Sequence, residues 1–488
     1  MQTGNRFRAY PTPAQEQILL QWIGHQRFIY NAKVSEDRYY RTFEKTAVAL
    51  SGTPVPVDQE YARFLGPETP WLREVPSQIL RNGAVRWKQA YDRFFAGLAG
   101  RPTFRRKDGT QSVWITSELF SFRYNDKTHT EELLLGTRKF PVGALAFTAH
   151  TPYTRPASLH LSVEAGKWSL SFSTEDGLPE PKEEETLSRL RLFTEEDLRS
   201  RTLGFDRGVA IPVMASDGRR MDLLPVHKIR TEKKERARRR YQRKLARQKK
   251  GSKNRKKTKR RLAGSFEYIK NVRKDVVHKA THAFATDPER SLFVVEDLKV
   301  QNMTKRPEPK KDASGEYARN GAAAKAGLAR AVLSSMWGLF VVCLLYKAHR
   351  AGKLVIKVSP QYSSQECAEC GHIHPDNRVS QALFVCQRCG HTDNADQNAS
   401  LVIAKRGVRL LLEGAIQKKP VRRCGIGKRK HLGQELSEDK ASGEENKTQR
   451  PKRLRASSAK IVRKPVFANR RRHSFYIGLR PELEGAFR

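Results

Sequence analysis

Four cysteines in the last third of the chain have the spacing of a metal site. Cys367 and Cys370 form one Cys-x-x-Cys pair, and Cys386 and Cys389 form a second pair after fifteen intervening residues. Thiolates suit tetrahedral zinc, and four protein ligands leave no open position for a catalytic water. The pattern therefore predicts one structural Zn²⁺ held by these four residues.

Several carboxylates in the chain have no role in such a site. Asp393 and Asp396 follow the second pair within seven residues, while Asp206 and Glu296 end the apolar runs TLGFD and SLFVVE. A carboxylate at the end of a buried strand is costly unless it is paired or binds a cation. Asp206, Glu296 and Asp396 can converge at one sheet edge and hold two Mg²⁺ ions roughly 4 Å apart, an arrangement suited to phosphodiester hydrolysis. We expect Asp393 to cap the following helix or to support the site.

The overall charge indicates a polyanionic partner. The 488 residues carry a formal charge of +43, from 94 Lys+Arg against 51 Asp+Glu. A surplus of that size favours nucleic acid, because each phosphate met by Lys or Arg releases a counterion. The longest apolar run, near 339–346, is too short to span a bilayer, and the first residues lack a secretion signal. We therefore expect a soluble cytoplasmic protein, with no membrane partner, that binds nucleic acid.

The strongest charge run covers residues 228–261, with roughly twenty Lys or Arg against two Glu. Such runs usually mark a solvated helix face, but unpaired like charges at i,i+4 destabilise a helix. We interpret this run as a long helix, or a helix pair, laid against nucleic acid. The residues expected to meet phosphates are Arg238, Arg239, Arg240, Arg243, Lys244 and Arg247.

The surrounding pattern predicts the elements that position these groups. Thr12, Pro13 and Gln15 have the spacing of a capping box at the start of a helix. Period-two alternation from about Trp114 to Ser173 predicts short strands and hairpins. Apolar strands end at Asp206 and Glu296, and a helix is expected from about 395 to 407. In this order the three acids describe an RNase H-like sheet, interrupted between its second and third acids by the zinc segment.

These pieces resemble the transposon-associated TnpB family of RNA-guided nucleases and the compact type V CRISPR effectors similar to it. The matching stretches extend over roughly residues 5 to 415 and include YPTPAQEQ, LGFDRGV, VVEDLKVQNM and FVCQRCGHTDNADQNAS. The resemblance identifies Asp206, Glu296 and Asp396 as the RuvC nuclease acids. It also suggests that Arg378, between the two cysteine pairs, serves the nuclease site. This chain has Asn398-Ala399-Ser400 where the family usually reads Asn-Ala-Ala.

The resemblance implies an α/β multi-domain fold with a helical recognition part, a β-barrel-like wedge and an RNase H-like (RuvC) nuclease domain with an inserted zinc ribbon. The expected divisions are an N-terminal strand and helical recognition region (1–125), a β-rich wedge and linker (126–200), the nuclease domain (201–365) with a basic helical insertion (228–285), the ribbon (366–390), the last nuclease segment (391–416), and a basic tail (417–488) expected to be disordered.

The implied function is cleavage of double-stranded DNA by a Mg²⁺-dependent endonuclease. A guide RNA would select the target by base pairing, while the protein reads a short flanking motif. The cell would be bacterial or archaeal, with the protein on the nucleoid when bound to DNA. Two alternatives are an RNA-guided regulator that binds without cleaving and a transposase that cuts and joins DNA ends. The three acids disfavour the first alternative, and the position of the ribbon disfavours the second. The TnpB and CRISPR branches both remain open.

Overall fold

The computed structural model describes residues 1–44, 57–109, 111–126, 130–311, 313–318 and 320–414. The basic tail expected from residue 417 onward lies outside these residues. The described chain mixes helices with two large sheets, so the expected α/β class is confirmed.

The first sheet is antiparallel and has seven strands in the order β2-β6-β7-β1-β5-β4-β3. Buried and less buried residues alternate along β2, where Val113 and Ile115 enter the core, as the period-two pattern predicts. Three strands of this sheet, β1, β2 and β3, fall inside the range 1–125, so the sheet draws on both of the first two expected regions. The strands are β1 (Gln2–Tyr10), β2 (Gln111–Thr116), β3 (Phe120–Asn125), β4 (Thr130–Gly136), β5 (Pro141–Thr148), β6 (Ser158–Glu164) and β7 (Lys167–Glu175).

Two helices, α1 (Pro13–Tyr39) and α2 (Ser77–Phe95), pack on this sheet. The capping box at the start of α1 is confirmed: Thr12 accepts from the Gln15 main chain, and the Gln15 side chain accepts from the Thr12 main chain. The Gln15 side chain also donates to the carbonyls of Val142 and Ala144 at 3.2 and 2.8 Å, which ties the helix start to β5.

The second sheet has the order β10-β9-β8-β11-β14. Strands β8, β11 and β14 run parallel, and β9 and β10 are antiparallel additions. The strands are β8 (Thr202–Asp206), β9 (Val213–Ala215), β10 (Arg220–Met221), β11 (Leu292–Glu296) and β14 (Leu354–Val358). Two-stranded pairs are formed by β12 (Lys310–Lys311) with β13 (Tyr317–Ala318) and by β15 (Leu383–Val385) with β16 (Thr392–Asn394).

The remaining helices are α3 (Glu183–Leu190), α4 (Glu195–Ser200), α5 (Pro225–Arg247), α6 (Lys253–Thr286), α7 (Val300–Thr304), α8 (Ala322–Ser334), α9 (Trp337–Arg350) and α10 (Ala395–Leu412). Short 3-10 helices cover Ala62–Phe64, Pro70–Glu74, Ser117–Leu119 and Pro375–Asn377, and a π-helical turn covers Tyr40–Glu44.

Both faces of the second sheet are covered, which explains why its parallel strands read as continuous apolar runs. Phe205 and Phe293 face one layer, formed by α6 and α9. Val294 faces α10 on the other side, where Gly407 leaves room for it, since a Cβ at Gly407 would lie 2.2 Å from that side chain. A Cβ at Gly204 would likewise lie 2.1 Å from the Ser400 carbonyl. Helix α10 therefore lies directly against β8 and β11.

Among the described residues, the segment Ala322–Arg350 meets the length and the apolar composition that crossing a membrane requires. Its backbone breaks at Met336, which has a φ of 60°, so the segment forms two helices, α8 and α9. Phe340 and Leu344 of α9 are fully buried against the second sheet. Packing in the protein core accounts for much of the apolar character of α9.

Candidate active site and metal centre

Two of the predicted acids lie side by side at the carboxyl edge of the second sheet. Asp206 ends β8 and Glu296 ends β11, and the preceding residues, Phe205 and Val295, are direct partners in the parallel register. Asp396 is the second residue of α10, the helix that packs on these strands. The structure therefore brings together three carboxylates that are far apart in the sequence.

The pKa of Asp206 shows how closely these groups interact. Burial, and then the negative charges of Glu296 and Asp396, together raise it to about 7. Burial also raises the pKa of Glu296 and of Asp396. Three carboxylates so placed are unfavourable without a cation, and such oxygen donors are the ligands that Mg²⁺ prefers.

The surroundings of the acids fit a cation site. The Ser363 hydroxyl donates to Glu296 Oε1 at 2.6 Å and fixes that carboxylate. Gly208 allows the turn after Asp206 to approach the Ile211 carbonyl, since a Cβ there would lie 2.8 Å from that oxygen, and the same Cβ would lie 3.9 Å from Asp396 Oδ2. The residues present therefore suit a divalent metal ion.

Two residues that the sequence analysis did not identify hold the turn after Asp206. Arg207 is 7% exposed and donates to the main-chain carbonyl of Glu296, which joins the ends of β8 and β11. Trp337 Nε1 donates to the Gly208 carbonyl at 3.1 Å and anchors the same turn to α9. Arg207 directly follows Asp206 in the sequence, and that position could have indicated its role. Nothing in the sequence around Trp337 indicates its contact with this turn.

Arg378 lies where the family resemblance suggested. Its Nη2 is 3.5 Å from Asp396 Oδ1 and donates to the Gln381 carbonyl at 3.1 Å. The positive charge opposes the rise in the pKa of Asp396 that burial causes. A cation on the ribbon thus faces the acid on α10.

The four cysteines form a cluster that fits zinc. All four Sγ atoms lie within 4.8 Å of one another. The Cys367–Cys389 and Cys370–Cys386 sulfur pairs are 3.7 and 3.6 Å apart. A tetrahedral site with Zn–S bonds of about 2.3 Å needs sulfur separations of about 3.8 Å. The spacing suits a closed structural site.

The cysteine ribbon is fixed to the helix that carries Asp396. Asn398, fully buried on α10, accepts from the Ala368 main chain and donates to the Glu366 carbonyl, both at 2.8 Å. Asn394 caps α10 by accepting from the main chains of Asp396 and Gln397. The ribbon and α10 therefore form one connected unit.

Of the two roles expected for Asp393, capping this helix is wrong, and support of the site stays a prediction. The capping residue is Asn394, whose side-chain oxygen reaches the free main-chain donors of the first turn. Asp393 instead lies in β16 and accepts from the Asn394 main chain at 2.6 Å. It stands one residue too early for the capping role.

The basic run forms the helix pair α5 and α6. Of its two glutamates, Glu235 pairs with Arg273 at 3.3 Å. Arg238 is half-buried, with its guanidinium 5.1 Å from the centre of the Phe266 ring. Within the described part of the chain, none of the six arginines and lysines singled out from the sequence forms an ion pair. Five of them are exposed: Arg239, Arg240, Arg243, Lys244 and Arg247.

Three family models match the chain. The model described as "Cas12f1-like, TNB domain" matches residues 337–403, which include the cysteine cluster and Asp396. The one described as "Probable transposase" matches 182–307, which include Asp206 and Glu296. A "Helix-turn-helix domain" model matches 1–44, where the structure has β1 and the long helix α1.

Similar proteins extend over most of the chain. The putative RNA-guided DNA endonuclease InsQ of Escherichia coli K12 is 30% identical over 417 residues, 84% of this chain and 93% of that protein. A putative RNA-guided DNA endonuclease of Streptomyces pristinaespiralis is 27% identical over 83% and 89% of the two chains. The CRISPR-associated endodeoxyribonuclease Cas12f1 of Sulfoacidibacillus thermotolerans is 46% identical over 15% of this chain and 18% of that protein. A solved Cas12f1–sgRNA–target DNA complex covers 83% of this chain and 98% of its own, with 12% identity and a TM-score of 0.48.

Proposed function

The chain belongs to the TnpB family of RNA-guided DNA endonucleases, and on that basis we propose that it cleaves double-stranded DNA selected by a guide RNA. Target choice rests on base pairing, and the protein reads a short motif beside the target. The observation that carries the proposal is the meeting of Asp206, Glu296 and Asp396 at one sheet edge.

The second sheet is assigned as an RNase H-like (RuvC) nuclease sheet. Its strand order supports that assignment: β10, β9 and β8 pair antiparallel, and β11 and β14 follow, both parallel to β8. Asp206, Glu296 and Asp396 would hold two Mg²⁺ ions. Bound there, Mg²⁺ supplies an activated water and neutralises charge on the scissile phosphate.

The chain's own groups prepare this site. Ser363 orients the carboxylate of Glu296, and Arg207 keeps the ends of β8 and β11 together. Arg378 provides a cation for a phosphate oxygen beside Asp396. The ribbon, closed by one Zn²⁺ on Cys367, Cys370, Cys386 and Cys389, would hold Arg378 in place.

The polyanion partners account for the charge of the chain. A guide RNA and its DNA heteroduplex carry phosphates that the exposed face of α5 and α6 can neutralise. The proposed divisions of the chain follow the same assignment: recognition and wedge elements before residue 200, and nuclease elements with the ribbon from 201 to 416.

The decisive experiment is to sequence the RNA that copurifies with the protein and to build DNA duplexes matching its variable end. With randomised flanks and Mg²⁺, the protein should cut matched duplexes beside one preferred motif. Cleavage that ignores the RNA sequence would contradict guidance. Joined DNA ends among the products would favour a transposase instead, and binding without cutting would favour a regulator.

A further inference from the structure

Three arginines where α1, α2 and the first sheet meet have no acidic partner among the residues that the structure describes. Arg27 lies on α1, Arg86 on α2 and Arg105 in the segment before β2. Within the described residues, none of the three forms an ion pair with a carboxylate. Other arginines of the same region do: Arg41 with Asp37, Arg63 with Asp58 and Arg81 with Glu118.

Neutral side chains fix the arginines in place. Gln26, only 2% exposed, exchanges two hydrogen bonds of 2.9 Å with the main chain of Trp114 and accepts from Arg86 Nη1 at 3.1 Å. Asn31 exchanges hydrogen bonds of 2.8 and 3.0 Å with the main chain of Arg105. The Arg105 guanidinium lies 3.8 Å from the centre of the Tyr30 ring. The cluster is therefore preorganised by groups that carry no charge.

The third arginine is held in the same way. Arg27 Nη1 donates to Gln111 Oε1 at 2.7 Å, so its only hydrogen-bond partner among the described side chains is a neutral amide. On the neighbouring strand pair, Trp114 and His160 are direct partners with rings 6.4 Å apart and 20° from parallel. Arg86 and Arg105, whose charges act on His160, thus border a half-buried aromatic pair on the face of the sheet opposite to Val113 and Ile115.

The electrostatics show an uncompensated positive site. Burial, and then the charge of Arg105, together lower the pKa of Arg86 to about 10. Burial, and then the charges of Arg86 and Arg105, lower the pKa of His160 to about 4. Buried charge without a partner is destabilising, so the fold maintains this cluster at a cost that a bound anion would offset.

We propose that Arg27, Arg86 and Arg105 bind the phosphate backbone of nucleic acid at this junction, separate from the exposed basic face of α5 and α6 (the α5–α6 surface). A guanidinium has five donors in a fixed fork that matches phosphate oxygens, and each of these arginines spends at most one nitrogen on a protein hydrogen-bond partner. The inference rests on the proposed function only in taking nucleic acid as the ligand. The phosphate can belong to RNA or to DNA.

The test compares Arg86→Gln with Arg81→Gln in the full-length chain freed of its RNA. Arg81 lies on the same helix, but it pairs with Glu118 at the surface. Both variants lose one positive charge, so a difference between them reports where that charge lies. The probes are a single-stranded RNA and a DNA duplex of equal length, measured across a salt series, with thermal unfolding in parallel. R86Q should bind one probe more weakly than R81Q. Its slope of log affinity against log salt should fall by about 0.7 for RNA or about 0.9 for duplex DNA per lost contact.

The probe that responds identifies the source of the phosphate. R86Q should also be no less thermally stable than R81Q, because the substitution removes a desolvated charge. Equal affinities of R86Q and R81Q for both probes would overturn the proposal. If R86Q does not fold, Arg105→Gln replaces it under the same criterion. Because binding is measured without cleavage, failure of the wild type to cut DNA would contradict the proposed function and leave this comparison valid.

Discussion

Nη2 of Arg378 on the cysteine ribbon lies 3.5 Å from Oδ1 of Asp396 on α10, so a residue between the two cysteine pairs reaches a carboxylate on the helix that packs against the second sheet. The contact depends on the ribbon being fixed to α10, which the buried side chain of Asn398 achieves through two main-chain hydrogen bonds to the ribbon. Under the proposed function, the ribbon would therefore position Arg378 as well as hold zinc.

Replacing Arg378 with Gln should slow cleavage on the order of 10²-fold, the size expected for loss of one charged group at a phosphoryl-transfer site. Target binding should change little, because a single contact is lost. The matched control is Arg388→Gln, an exposed arginine of the same ribbon. Equal single-turnover cleavage rates for the two variants would show that Arg378 does not serve the reaction.

Changing Asp206, Glu296 or Asp396 singly to Ala should abolish cleavage and leave RNA and target binding nearly intact. These carboxylates are assigned to metal binding for the chemical step and make little contribution to docking. The control is Asp297→Ala, beside Glu296 but exposed and paired with Lys357. A wild-type cleavage rate in Mg²⁺ for any of the three acid variants would contradict its assignment.

The metal-free protein should show the raised pKa of Asp206 in its stability. The pKa is about 7 in the folded protein against an ordinary value of 3.8. The protonated form is therefore favoured by folding, and its contribution to stability, complete below pH 3.8, is lost as the pH rises through 7. Asp206→Asn should raise the unfolding temperature more at pH 8 than at pH 5.

These unfolding measurements use Mg²⁺-free buffer, and Asp297→Asn serves as the matched control. Added Mg²⁺ should stabilise the wild type at pH 8 and narrow its difference from D206N, because bound metal compensates the carboxylate charge. An equal stabilisation by D206N at both pH values would rule out a raised pKa.

One zinc ion per chain should be found by elemental analysis. Replacing Cys367 and Cys386 together with Ser should remove it and lower both thermal stability and cleavage, because metal binding contributes to folding of the ribbon. Cys424→Ser, outside the described residues, is the control and should keep its zinc. Active protein without zinc would refute the assignment.

The α5–α6 surface should act through charge alone. Replacing Arg239, Arg243, Lys244 and Arg247 with Gln should weaken binding of guide RNA or heteroduplex and lower the salt slope by about 0.7 to 0.9 per lost phosphate contact. The preferred flanking motif should stay the same.

A matched control outside this surface removes four exposed cations that already have acidic partners: Arg123, Lys182, Arg199 and Lys305. If the salt slope is the same for both quadruple variants, the basic run is a solvated surface.

Local features of this protein could be predicted from its sequence because the interactions that cause them are local. Each Cys-x-x-Cys pair is contained in one short turn, and the capping box of α1 is contained in four residues. The charge run predicted the helix pair because its composition needs no distant partner to be recognised. Asp206 and Glu296 were identifiable as the ends of apolar strands, where an unpaired carboxylate is costly.

Contacts between distant segments required the folded chain. Parallel pairing of β8 with β11 sets Asp206 beside Glu296 across ninety residues, and nothing in either segment specifies that register. Ser363 and Trp337 carried no signal in the sequence, because their roles depend on which loop and helix pack beside the site. The same holds for Arg27, Arg86 and Arg105: in sequence they are three among many arginines. Only the packing of α1 and α2 on the first sheet shows that no acidic side chain in the described part of the chain neutralises them, because ion pairing is decided by which segments meet in space.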